Sequence, residues 1–473
     1  MNAQINFHLP INPISLNKNE LIVDNFAGGG GASLGVGSAF GRDPDIAINH
    51  DPKAIEMHKL NHPETEHYCE DVWAVDPVKA VKGKAVGFAW WSPDCTHFSK
   101  ARGKTPVKKE IRGLAWVLLR WACLTDMRCF ALENVGEFQD WCPVIEIDGE
   151  LYPDTKKKGA TYQAFCLALT TGLPENNEAW EEIKNCLGDD FDYSKIKNGL
   201  GYEIKSSVLK ADDFGAGTTR PRFYMIGRKD GEAFDMPSPT HGDGLLKKDC
   251  AGNHIDWAIP TKSIFGRPKP LAENTLNRIA KGIERFALDG SPFIARIGQT
   301  GFGGDRLSWS IDSPLTTVTS KAEHLLITTN IIKLRNGCIG QSIEKPLDTI
   351  SAGGNHFGEV RAFLIKYYGQ SVGQPLNEAI HTITSNDRFG LVTVKIKNGV
   401  YQVLDIGMRM LQPHELYSAQ GFSSSYRFSY DMNGKKISKK EQVKRVGNSV
   451  VPIMAEVIVR SLFNYPIQSQ LAA

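Results

Sequence analysis

Residues 20–41, ELIVDNFAGGGGASLGVGSAFG, decide the fold. Leu21, Ile22 and Val23 form a short apolar, β-branched run, as a buried strand requires. Asp24 and Asn25 end it, four glycines (Gly28–Gly31) follow, and small residues then open a helix. The unit repeats in DIAINHDPKAIEMHKLNHP (45–63), with a strand at 46–48 and a helix from about Pro52. VGFAWW (86–91) reads as a further strand, GLAWVLLRWACLTDM (113–127) as an amphipathic helix, and RCFALENVGEF (128–138) as a strand and loop. YEIKSSVLKADDFG (202–215) and RFYMIGRK (222–229) add two more strands. Strands alternating with helices over this length predict an α/β, doubly wound, Rossmann-like sheet, which takes ligands beyond the carboxyl ends of its strands.

The chain has 473 residues, more than one core accommodates. Residues 1–19 read as a loose arm and 20–240 as the α/β domain, with the charged segment 143–200 as an insertion. Residues 241–400 change texture to Gly/Pro-rich and β-like, forming a smaller second domain, and 401–473 return to helical character. Within 241–400, SPLTTVTS (313–320), KPLDTISAGG (345–354) and QPLNEAIHTITSNDRFG (374–390) are approximate repeats, read either as similar hairpins or as a module presenting polar loops. With 55 basic and 53 acidic side chains the net charge is only +2, so an anionic partner must be met by a local basic patch. Nine cysteines, an odd number without a CxxC pair, argue against a zinc ribbon or disulfide framework, so no metal is expected. No apolar run of membrane-spanning length and no signal segment is present. The expectation is a cytoplasmic protein, a monomer without metal or membrane contact.

The candidate chemistry lies at strand ends. The glycine loop, Asp24 to Gly30, lets a cofactor approach the backbone, although a tight βα turn uses glycines too. Asn49 and Asp51 stand where a ribose-binding group is often found, and Asp71 follows a plausible next strand. Each acid alone reads equally as a capping carboxylate. In SPDCTHFSKARG (92–103), Cys95 sits outside the apolar run with His97, Lys100 and Arg102 nearby, the surroundings of an activated thiolate rather than of a buried thiol. Glu133 ends an apolar strand and suits a general acid, or alternatively a helix cap. Arg220 and Arg222, two apart on one strand face, suit forked hydrogen bonds to a base or phosphate, or a solvated face. Cysteine attack plus an acid beside a nucleotide-like pocket suggests covalent catalysis.

These residues resemble the DNA cytosine-5 methyltransferase family, with six segments in the family's order. DNFAGGGGASLG is similar to its cofactor motif, PDCTHFSKARG to its cysteine loop and ENV (133–135) to its acid motif. FGAGTTRPRFYMIG is similar to its arginine motif, RMLQPHELYSAQGF (409–422) to its Arg…Glu…Gly-Phe segment and VGNSVVP to its closing motif. Five positions depart from the usual pattern: Asp94 replaces proline, Asn49 the ribose acid, and Thr96, Thr218 and Arg445 glutamines. The resemblance implies methyl transfer from S-adenosyl-L-methionine, leaving S-adenosyl-L-homocysteine, to carbon 5 of a flipped-out cytosine in double-stranded DNA. It implies Cys95 as nucleophile and Glu133, Arg220 and Arg222 around the base. Asp24, Phe26, Ala27, Gly28, Gly29, Gly30, Asn49, Asp51, Asp71, Asn448 and Ser449 would hold the cofactor. Ser99, Lys100 and Arg102, with Arg306, Asn355 and Arg388 of a target-recognition domain, would meet DNA. A cognate restriction enzyme is a conceivable partner. A tRNA cytosine-5 methyltransferase and a non-catalytic DNA-binding relative are the competing readings.

Overall fold

The computed structural model describes residues 12–94, 113–256, 258–260, 262–271 and 407–466, together with isolated positions and short strands between 273 and 403. It divides into two compact units, one formed by residues 1–248 and 420–473 and the other by 249–419.

The first unit is a seven-stranded, mostly parallel sheet. Its strands are β1 (Leu21–Asn25), β2 (Ile46–Ile48), β3 (Glu66–Tyr68), β4 (Val86–Trp91), β5 (Met127–Asn134), β8 (Glu203–Lys210) and β9 (Pro221–Arg228). β6 (Val144–Ile147) and β7 (Glu150–Pro153) form a separate hairpin. The sheet order is β3-β2-β1-β4-β5-β9-β8. β1 to β5 run parallel, and β9 pairs antiparallel with both β5 and β8. This is the doubly wound α/β architecture, and its order reverses between β1 and β4, where such sheets open a crevice. The antiparallel insertion of β9 brings its first residues to the same edge as the carboxyl ends of β1, β4 and β5.

All residues of β1 and β4 are buried because helices cover both faces. On one face Val23, Trp91 and Leu132 pack with α3 (Pro77–Val81) and α4 (Trp116–Leu124). The segment 143–200 completes this layer with α5 (Ala160–Leu169), α6 (Ala179–Leu187) and α7 (Ser194–Asn198). Its Phe165, Leu169, Ile183 and Ile196 belong to the same core as the strands, so the charged segment buries a full apolar face. On the other face Ile22, Phe88 and Trp90 pack against α1 (Gly31–Phe40) and the last helix, Pro452–Leu462.

Chain ends separated by some 420 residues meet there. A methyl group at Gly31 would lie 2.1 Å from the Val450 carbonyl oxygen, and one at Gly35 2.0 Å from that of Pro452. Only glycine permits backbone to lie on backbone this closely.

The second unit contains a five-stranded antiparallel sheet of Lys262–Ser263, Gly407–Met410, His324–Thr328, Phe293–Arg296 and Ser308–Ser310, in that order. In it Arg409 and Glu415 form a buried two-bond ion pair, at 2.8 and 2.7 Å. The Arg…Glu spacing noted in the sequence therefore closes a turn into helix Pro413–Ala419.

Gly35→Ala should destabilise the protein by about 1–3 kcal/mol, because its methyl group meets immobile backbone. Gly37→Ala, which faces only a side-chain oxygen at 3.3 Å and the Arg42 backbone, should stay within about 1 kcal/mol of wild type. Urea denaturation of both variants measures the difference.

Candidate functional site

Segments from distant parts of the sequence converge on the carboxyl edge of the sheet. The first is the glycine loop after β1. Phe26, Gly28 and Gly30 have φ of 64°, 50° and 81°, a left-handed path that folds the loop tightly over the strand end. Gly30 N–H donates to the Ala27 carbonyl at 2.9 Å and Ala27 N–H to that of Ile48 at 3.0 Å. Asn25 is fully buried at the strand end, with neither polar atom of its amide hydrogen-bonded. A buried amide left unsatisfied is costly, so it marks a place where a polar group is accommodated.

Beneath the loop lies a buried polar chain absent from the sequence reading. Ser33 Oγ donates to Asp24 Oδ2 at 2.6 Å and lies 2.9 Å from His58 Nε2; His58 Nδ1 lies 2.8 Å from His67 Nε2. His62 stacks on His58 with ring centroids 4.5 Å apart and binds Asp43 Oδ1 through Nδ1 at 2.8 Å. The i, i+4 spacing of His58 and His62 on α2 (Pro52–Asn61, followed by its cap His62) was the available signal. Burial pushes the Asp24 carboxyl up to about 7, against the stabilising Ser33 bond. Burial pushes His58 well below its ordinary value and His67 down to about 4, with neighbouring cations adding to it.

The C-terminal segment roofs the loop. Tyr426 donates its hydroxyl to the Gly29 carbonyl at 2.5 Å, and a methyl group at Gly29 would lie 2.5 Å from Ser449 Oγ. Ser449 is buried and donates to the Arg445 carbonyl at 3.0 Å, while Asn448 is exposed at the end of helix Lys439–Asn448. Tyr426 carried no sequence signal.

Asn49 and Asp51 follow β2. Asn49 Oδ1 accepts from Asp51 N–H at 2.8 Å, and Asp51 caps α2 by accepting from Lys53 N–H at 3.0 Å. Asp71 accepts from Trp73 N–H at 2.9 Å. One oxygen of each acid thus serves the turn that follows its strand. β4 ends on Ser92 and Pro93: Ser92 N–H donates to the Asn25 carbonyl at 3.4 Å, and Asn134 Nδ2 donates to that of Pro93 at 3.1 Å. The start of the cysteine loop is therefore tied to β1 on one side and to the ENV segment on the other. Cys95, Ser99, Lys100, Arg102, Arg306, Asn355 and Arg388 lie outside the described residues.

Glu133, 7% exposed, lies at 3.1 Å from Arg222 Nε, an ion-pair contact in which Glu133 Oε1 accepts no aligned hydrogen bond. Glu133 caps no helix here; the turn after β5 begins at Val135 without a side-chain cap. Tyr224 stands opposite Glu133 across β5 and β9, and burial, with Glu133 beside it, holds its phenol far above the ordinary value, so it stays neutral. Arg220 precedes β9 and is buried; its Nη1 donates to the Gly447 carbonyl at 2.9 Å, so it holds the C-terminus of the closing helix. Arg220 thus bonds a helix terminus, and Arg222 lies at the acid.

The family model for C-5 cytosine-specific DNA methylase matches residues 21–141, which include the glycine loop, the β4 end and Glu133. That match identifies residues 21–141 as a C-5 cytosine-specific DNA methylase domain. The chain is 26% identical over 227 residues to Type II methyltransferase M.AquIA of Picosynechococcus sp., covering 47% of this chain and 77% of that one. It is 25% identical over 236 residues to Type II methyltransferase M1.HphI of Haemophilus parahaemolyticus, covering 49% and 52%. Among solved structures, the Entamoeba histolytica methyltransferase EhMeth aligns over 94% of this chain and 98% of that one, with 15% identity and a TM-score of 0.47.

The buried Asp24 gives a pH signature. An acid whose folded value is raised retains its proton on folding, so its stabilising contribution is present below the ordinary 3.8 and is lost as pH rises through about 7. Asp24→Asn removes that loss. Its stability relative to wild type should increase by roughly 1–4 kcal/mol between pH 4 and pH 8 in denaturation measurements, and a flat difference would refute the assignment.

Proposed function

We propose that the protein methylates carbon 5 of cytosine in duplex DNA, using S-adenosyl-L-methionine and a covalent adduct through Cys95. The observation that carries this reading is the convergence on one sheet edge of the glycine loop, the Pro93 end of β4 and the Glu133–Arg222 pair. Cys95 follows Pro93 by two residues, so the tether to Asn134 keeps its point of departure next to the acid.

The residues at the switch point fit the cofactor. The left-handed loop offers backbone at close range, the unsatisfied Asn25 amide lies at the strand end, and Asn49, Asp51 and Asp71 line the successive strand ends. Asp24, Phe26, Ala27, Gly28, Gly29 and Gly30 would hold it from below, with Asn448 and Ser449 on the opposite side. When bound, S-adenosyl-L-methionine supplies the methyl group from its sulfonium.

The protein's own residues prepare the base. Cytosine carbon 6 is inaccessible within a duplex, so the base must leave the stack, at a cost of a few kcal/mol. Glu133, buried and with Oε1 accepting no aligned bond, faces the ring N3 and the exocyclic amine and supplies the proton at N3. Arg222, 3.1 Å from Glu133, orients that carboxyl and holds the base carbonyl. The Cys95 thiolate bonds to carbon 6 as N3 gains its proton, which makes carbon 5 nucleophilic. After methylation a base removes the carbon 5 proton, the electron pair restores the ring double bond, the thiolate leaves, and the N3 proton returns to Glu133. Residues 241–400 act as the target-recognition domain, with Arg306, Asn355 and Arg388 at bases or phosphates and Ser99, Lys100 and Arg102 closing over the target. The enzyme works as a cytoplasmic monomer, alone or beside a restriction enzyme.

A pool of random duplexes containing 5-fluorocytosine, incubated with S-adenosyl-L-methionine, should give a denaturation-resistant protein–DNA adduct with wild type and none with Cys95→Ser. Glu133→Gln should lower the methylation rate by roughly 10²–10⁴. Adduct formation by Cys95→Ser, or none by wild type, would overturn the mechanism.

A further inference from the structure

Residues 435–444, KKISKKEQVK, hold five lysines in ten positions of a chain whose net charge is +2. All five, Lys435, Lys436, Lys439, Lys440 and Lys444, are exposed. Two acids lie in this stretch and its turn, and both have partners. Asp431 accepts from the N–H groups of Asn433 and Lys435, at 3.0 and 2.8 Å, which fixes the turn. Glu441 pairs with the buried Arg445 at 3.1 Å. Among the described residues, Lys435, Lys436, Lys440 and Lys444 make no salt bridge. Tyr430 and Met432, 53% and 55% exposed, flank them on the same turn.

Folding does not account for this arrangement. Lys439 and Lys440 stand in the first turn of helix Lys439–Asn448, where the helix dipole disfavours cations. Lys440 and Lys444 are like charges four apart on its exposed side. Asn448 continues the same stripe at i+8. The stripe leads to the candidate site: the far end of the helix carries the Gly447 carbonyl held by Arg220 and is followed by Ser449 against Gly29. The ten-residue helix Lys439–Asn448 spans about 15 Å, the length of duplex over which one strand carries about four phosphates.

We propose that this lysine surface grips the sugar–phosphate backbone of duplex DNA next to the target base. It is a sequence-independent anchor on the catalytic unit, separate from the target-recognition domain. The proposal rests on the duplex-DNA reading given above. The charge is local, it is matched by a polyanion, and its distance from the site corresponds to a few nucleotides. An exposed tyrosine at its edge gives the surface a flat group to lie against a sugar or base.

The test compares wild type with variants in which all five lysines become Gln or all become Arg, by fluorescence anisotropy on a labelled duplex of arbitrary sequence over a range of salt. Each phosphate contact contributes about 0.9 to the slope of log affinity against log salt. The Gln variant should lose about 3–4 from that slope and at least about tenfold in affinity at physiological salt, while the Arg variant retains both. Thermal unfolding checks the fold, and the single changes Lys436→Glu and Lys440→Glu serve if the multiple variant is unstable. An unchanged slope in the Gln variant, with wild type binding duplex, overturns the lysine anchor and leaves the methyltransferase reading intact. Wild type that binds tRNA but not duplex, or neither, overturns both.

Discussion

The close approach of the C-terminal segment to the first βα unit is the constraint on which the site depends. Gly29, Gly31 and Gly35 accept Ser449, Val450 and Pro452 at distances no side chain would allow. Tyr426 adds a hydrogen bond to the same loop. The glycine loop is therefore clamped between its own strand and residues some 400 positions later. A loop of four consecutive glycines would otherwise lose much entropy on ordering. Here the cost is offset by packing from both ends of the chain.

The same closure positions the other functional groups. Helix Lys439–Asn448 ends where Arg220 caps the Gly447 carbonyl, and Gln420 donates to that of Val446. Arg220 thereby links the closing helix to β9, and β9 carries Arg222 to Glu133. Glu133 and Asn134 end β5, and Asn134 holds the Pro93 carbonyl at the end of β4. A chain of short contacts thus runs from the glycine loop to the acid and to the start of the cysteine loop. Displacing one member shifts the geometry of the rest, which matters because misplacing a reacting group by about 1 Å costs about 100-fold in rate.

Below the loop the protein keeps an unusual interior. Asp24, Ser33, His58 and His67 form a continuous polar path in place of the apolar packing normal under a βα turn. Burial favours the neutral forms throughout, raising the acid and lowering the histidines. The loop therefore rests on a hydrogen-bonded floor in which burial favours the neutral forms of Asp24, His58 and His67. An ion pair, Glu133 with Arg222, stands apart from it at the β5 and β9 strand ends.

The sequence by itself determined the parallel strands, the glycine turn and the acid at the end of β5, because these follow from local periodicity and turn chemistry. It also displayed the six family segments in order. It pointed equally to Arg220 and Arg222, which share a spacing; only tertiary structure separates them, by giving Arg220 a helix terminus and Arg222 a carboxylate. It read Asp51 and Asp71 as caps or ligands alike, and the fold shows one oxygen of each bonded to its turn. Tyr426 and Ser33 were invisible because their partners lie far away in sequence or on neighbouring elements, and the histidine path showed only as the i, i+4 spacing of His58 and His62. Segment 143–200 read as a charged insertion, and its helices bury one face against the sheet, since a helix needs only an apolar stripe to pack. Local chemistry is written residue by residue; which groups share a site depends on long-range closure, and here that closure is backbone packed on glycine.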